Sequence, residues 1–199
     1  PAMLLAHWPW SGHYEVREAL WGYAHYGQFT ELGWHYLPQG SGLLDGGGSV
    51  VSLASPHRGE EPGEVSLVIE TRDAEAAQRI RLDLAGELAD RPLCVWRSTE
   101  DAQFIQLDDL EVVGGVVEFE VEPDAVYSLS TTRGQRKGSF EDVPEAESFP
   151  LPYRDEFNEA DPQRMGYLPR YTADITGSFE LVDAPDGRGH ALRQVVPIP

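Results

Sequence analysis

The chain has 199 residues, enough for one medium domain or two small ones. Its formal net charge of -19 repels nucleic acid and anionic membranes, so nucleic-acid binding is set aside. Hydrophobic residues make up 41% and charged residues 25%, a globular rather than a disordered composition. No run is long and apolar enough for a membrane-spanning helix. A single cysteine, Cys94, excludes an internal disulfide framework, and its neighbours Leu93 and Val95 place it in a buried strand.

In chain order, Met3 to Ala6 read as a short apolar strand, and "PWSG" then forces a turn. The start, "PAMLLAH", has no initiator Met and no basic signal-peptide region, so the chain reads as a piece of a longer protein. Apolar positions at Val16, Leu20, Trp21 and Ala24 predict a short helix from about Glu18 to Tyr26. Strands follow: "FTELGWHYL", "GSVVSLAS" after a Gly-rich turn, "EVSLVIET", "RIRLDLAG", "LCVWRST", "DAQFIQLDDLEV", "GGVVEFEVEP" and "AVYSLSTT". Short strands between Gly, Pro, Asp and Ser turns predict an antiparallel β-sandwich. Their polar-out alternation fits sheets with one wet face.

From Arg133 to Pro152 the chain loses periodicity and reads as a linker or domain boundary. Beyond it, "GSFELVDAPDGRGHALRQVVP" predicts two strands joined by a "PDGRG" turn, the first strands of a second β domain.

The aromatic and imidazole residues Trp8, Trp10, His13, Tyr14, Trp21, Tyr23, His25 and Tyr26 crowd the N-terminal stretch. Sugars present C–H faces to such rings and hydroxyls to their polar tips, so a sugar cradle fits; on composition alone a hydrophobic interface is the plainer account. Arg81 lies opposite Ile80 and Leu82 in the strand alternation, the position of a solvated arginine. Glu156 and Asn158 alternate around Phe157 and offer two oxygens of the roughly six to eight that calcium takes; a linker-end turn is the plainer account. Asp108 and Asp109 read as turn residues. A phosphate-cradling Gly loop, a metal-spaced Cys/His set and a nucleophile elbow are all missing.

The ordered series "PWSGHYEV", "LWGYAHYGQFTELGWHYL", "GGSVVSL", "VIET", "IR", "TTRGQRKGSF", "FPLPYRDEFN", "ADITGSFE" and "LRQV" resembles glycoside hydrolase family 59, the galactocerebrosidases, along nearly the whole chain. The resemblance implies a mainly β chain. Residues 1–27 would be the last strand and helix of a TIM barrel, and 28–145 an antiparallel β-sandwich. A linker at 146–152 would lead to the start of a lectin-like jelly roll at 153–199. Active-site loops of such barrels follow the C-terminal ends of strands. "PWSGHY" would then be one of these loops, with Trp10, His13 and Tyr14 at a galactose pocket. Arg81 matches the family arginine that reaches the substrate.

The family's activity is retaining β-galactoside hydrolysis on galactosylceramide, through two glutamates about 5 Å apart. The resemblance places both upstream of this chain, so no catalytic residue is nominated and the chain alone is expected to be inactive. No catalytic cofactor is implied, but a structural calcium is, at Glu156 and Asn158. Two departures stand out: Arg79 replaces a disulfide-forming cysteine, and Glu156 replaces an aspartate in the calcium motif. The lost disulfide, the arginine bias and the acidity point to a bacterial relative; the chain itself does not give a location, which would be secreted or extracytoplasmic if bacterial. The animal family's lysosomal location and lipid-presenting partner are therefore not assumed. The alternative is a non-catalytic carbohydrate-binding β-sandwich module, and a third possibility is a structural accessory domain.

Overall fold

The computed structural model describes residues 2–56, 63–157, 166–169 and 171–196. The chain divides into two compact units, one of Pro1–Leu4 with Val16–Ser139 and one of Leu5–Glu15 with Phe140–Pro199. Two dipeptide strands, β1 (Leu4–Leu5) and β2 (Glu15–Val16), flank a 3-10 turn at Pro9–Ser11. No helix among the described residues is long and apolar enough to cross a membrane.

The larger unit opens with α1 (Glu18–Gly27), one residue longer than predicted. Glu18 in its first turn suits the positive end of the helix dipole. Trp21 and His25, four apart and so on one face, are its buried residues. The strands follow as β3 (His35–Tyr36), β4 (Gly42–Leu43), β5 (Ser49–Ala54), β6 (Val65–Glu70), β7 (Gln78–Asp83), β8 (Leu93–Ser98), β9 (Ile105–Leu110), β10 (Val116–Val121) and β11 (Val126–Ser130). Among the described residues they form a seven-stranded antiparallel sheet in the order β3-β5-β6-β11-β8-β9, with β4 also on β5, and a separate ribbon of β7 and β10.

Alternation explains the sandwich. Val65, Leu67 and Ile69 of β6, Leu93 and Val95 of β8, and Tyr127 and Leu129 of β11 form one face of the large sheet. They pack with Val117 and Val121 of β10, and with the partly buried Ile80 and Leu82 of β7. Each such side chain contributes roughly 1.5–3 kcal/mol when fully buried.

The opposite face corrects the expectation of a wet sheet surface. It carries Cys94 and Trp96, which cluster with Trp21, Phe29 and Phe104. Ser66, Ser128 and Ser130 are on the same face and are fully buried. They read as polar-out in the sequence, yet α1 and its flanking segments cover them, and hydrogen bonds replace water. The Ser66 hydroxyl donates to the Phe29 carbonyl at 2.6 Å and lies 2.6 Å from Ser130 Oγ.

Asp108 and Asp109 also differ from expectation. They lie in β9, not in a turn, and Asp109 pairs with Arg133 at 2.8 Å.

In the smaller unit β12 (Ser178–Asp183) and β13 (His190–Val196) form the expected hairpin, with Asp183 opposite His190 beside the Pro-Asp-Gly turn.

Candidate functional site: an aromatic-walled cavity

The N-terminal aromatic stretch separates by chemistry. Trp21 and His25 enter the helix-side core of the larger unit, while Tyr23 and Tyr26 of the same helix are exposed. Trp10 and His13 belong to the smaller unit. The 3-10 turn that presents Trp10 begins at Pro9, whose fixed φ suits a first helical position. It closes on Gly12 at φ 79, where a residue with a Cβ is strained.

Trp10 donates its indole N–H to the Glu147 carbonyl at 2.7 Å. Its ring meets Trp8 and Phe149 edge-on, each with centroids 5.3 Å apart. Phe149 continues the series to Tyr153 at 5.4 Å and Tyr171 at 6.1 Å, in the T-shaped geometry that aromatic quadrupoles favour. Tyr171 takes a positive φ of 67, uncommon for a bulky residue, and its ring packs within this cluster.

Trp10 and Tyr171 share a cavity of about 920 Å³ with Gly12, Tyr167, Asp174 and Phe179. That volume lies at the upper end of small-molecule sites, roughly 300–1,000 Å³. The lining combines aromatic rings with polar groups: Asp174 Oδ1 accepts the Phe179 N–H at 3.2 Å, and the Thr172 hydroxyl donates to the Pro169 carbonyl at 2.8 Å. Tyr167 and Tyr171 lie in a stretch without periodicity, and Asp174, although within the "ADITGSFE" motif, has no pattern that marks it as a site residue.

The other expected site residues fall elsewhere. His13 is half-buried and donates from Nδ1 to the Pro144 carbonyl at 2.8 Å, so it braces the turn. Tyr14 is half-buried and does not line the cavity. Arg81 lies in the larger unit, on the outer face of the β7–β10 ribbon, directly across from Glu118. Its guanidinium forks over Asp83 at 2.9 and 3.3 Å and sits 3.7 Å from Glu118. The hydrogen bond from Arg81 holds the Asp83 carboxyl below the usual carboxylate range. Arg81 is thus exposed and already paired, and a substrate would have to draw it from Asp83.

Of the two expected calcium ligands, only Glu156 lies among the described residues. Glu156 pairs with the neighbouring Arg154 on the surface, and Asn158 lies outside the described residues. No group of three or more His, Cys, Asp or Glu able to hold a metal occurs among the described residues.

No family model matches the chain. Galactocerebrosidase of Mus musculus is 34% identical over 98% of this chain and 31% of its own length. The Danio rerio protein of the same name gives 34%, 98% and 32%, and the Homo sapiens protein 32%, 98% and 31%. The chain therefore spans about a third of the length of the curated relatives it matches. Among solved structures, a GH30 endoxylanase from Clostridium papyrosolvens overlaps 58% of this chain and 28% of its own, with a TM-score of 0.47 and 8% identity.

Proposed function

We propose that this chain is the pocket-bearing portion of a retaining β-galactosidase that hydrolyses galactosylceramide-type glycolipids. The carrying observation is the collinear identity of 32–34% over 98% of the chain with galactocerebrosidases. The aromatic cavity at Trp10 agrees with it, since stacking walls and hydroxyl partners are what a galactoside needs.

In this reading Trp10 stacks on the sugar, His13 and Tyr14 shape the turn behind it, and Arg81 recognises hydroxyls or a catalytic carboxylate through its fork. A retaining mechanism needs a nucleophile and an acid/base carboxylate about 5–5.5 Å apart. None of this chain's carboxylates is assigned to either role. The calcium of the sequence reading stays tied to Glu156 and Asn158, and binding there would require Glu156 to leave Arg154.

The test is hydrolysis of a β-galactosyl lipid by the protein that carries this chain. Release of galactose with retained anomeric configuration supports the proposal, and no release from any β-galactoside overturns it. The second reading, a non-catalytic carbohydrate-binding module, draws on one observation: the whole described lining of the cavity belongs to a single unit. Galactoside binding by the chain alone in calorimetry, with no hydrolysis by the protein that carries it, would favour that module.

A further inference from the structure

His25 is fully buried, yet both of its ring nitrogens have partners. Nδ1 lies 2.8 Å from Ser128 Oγ on β11, and Nε2 lies 2.8 Å from Ser98 Oγ on β8. Counting protons fixes the wiring. The Ser128 hydroxyl spends its one proton on the His25 carbonyl, 2.9 Å away, so it accepts from Nδ1–H. Nε2 of the neutral ring is then a bare acceptor for the Ser98 hydroxyl, and Ser98 Oγ in turn accepts the Phe104 N–H at 2.8 Å. Every proton is placed once, and the chain of bonds joins α1 to β8, β11 and the segment before β9.

We propose that His25 is an acid-release pin: neutral and protonated at Nδ1, it fastens α1 to the sheet, and protonation at Nε2 frees that face while the opposite face holds. An imidazolium has two N–H donors and no acceptor. Its Nε2–H would point at Ser98, whose own hydroxyl proton would lose its acceptor. The Phe104 ring stands edge-on to the imidazole at 5.2 Å, and water has no access. The ionisable groups on the elements packed here are Glu18, Tyr23 and Tyr26 on α1, Cys94 and Arg97 on β8, Glu100 and Asp101 in the segment before β9, and Tyr127 on β11, with Lys137 over the Trp21 ring at 5.0 Å. None hydrogen-bonds to the ring, whose nitrogens serines occupy. The opposite core is built from aliphatic side chains and Tyr127, and among the described residues no buried base lies there.

Burial lowers the His25 pKa from 6.5 to about 4. With α1 released the ring recovers its ordinary affinity, so the released state takes up a proton that the closed state refuses. The pin is therefore at full strength above pH 6.5 and weakens as pH falls towards 4. Across that window the opening constant of α1 rises about ten-fold per pH unit, about 300-fold in all.

The test has two parts, both on the full chain. Imidazole ¹⁵N shifts at neutral pH should show the Nδ1–H tautomer, and an Nε2–H tautomer overturns the wiring. Amide exchange between pH 7 and 3.5, corrected for intrinsic rates, should show α1 opening with the stated slope while β6 and β11 stay protected. Loss of protection in α1 and β6 together, or no slope in α1, overturns the proposal. His25→Asn keeps a donor on the Nδ1 side and cannot titrate, so the slope should vanish, and a slope that persists also overturns it. Should that variant fail to fold, the wild-type imidazole titration must track α1 opening, and a mismatch of midpoints overturns it equally.

Discussion

Trp10 is fastened to Glu147, 137 residues away, by a 2.7 Å hydrogen bond from its indole N–H to the backbone carbonyl. The wall of the cavity is thus oriented by a polar bond as well as by its edge contact with Phe149. Trp10→Phe should keep the ring and leave the Glu147 carbonyl to water, weakening galactoside binding by roughly ten-fold, about 1.4 kcal/mol. Trp10→Ala should abolish binding in calorimetry. An unchanged Kd for Trp10→Ala would remove this ring from the site.

Arg81→Ala separates function from fold. The side chain is exposed and its partners are surface carboxylates, so thermal unfolding should be unchanged. Under the proposed function, kcat/KM of the protein carrying this chain should fall at least ten-fold on a β-galactosyl lipid. Wild-type kinetics in this variant would return Arg81 to an ordinary surface pair.

Gly48 is a backbone requirement rather than a convenience. Its φ is 98, and a Cβ there would collide with the Glu70 carbonyl oxygen and come within 2.9 Å of the Thr71 Cα. Gly48 directly precedes β5, which pairs with β6. Gly48→Ala should destabilise the larger unit by about 3 kcal/mol, combining left-handed strain with overpacking. Urea denaturation checks it, and a loss under 1 kcal/mol would show that the turn relaxes.

Cys94 should be chemically silent in the folded chain. It is 1% exposed and its thiol donates to the Thr132 carbonyl at 3.2 Å. Burial pushes its pKa up, so thiolate, the reactive form, is scarce at pH 8. A disulfide reagent should label it only on denaturation, and rapid native labelling would show that this face opens readily.

The sequence by itself determined most of the strands and one face of the core. Val65, Leu67 and Ile69, or Leu93 and Val95, alternate with a period of two, and that period assigns a buried face without knowledge of any partner. It also determined the Trp10 turn, because Pro9 and Gly12 dictate backbone geometry locally.

What covers the other face was decided only in three dimensions. Ser66, Ser128 and Ser130 have the same pattern whether they meet water or a helix, and α1 with Phe29 turned that face into an interior. His25 shows the same limit: one more ring in an aromatic stretch, until Ser98 and Ser128, 73 and 103 residues away, closed on its two nitrogens. The cavity residues Tyr171 and Asp174 were hidden for a related reason. A loop has no period to read, and a wall exists only once Trp10, more than 150 residues earlier, is brought against it.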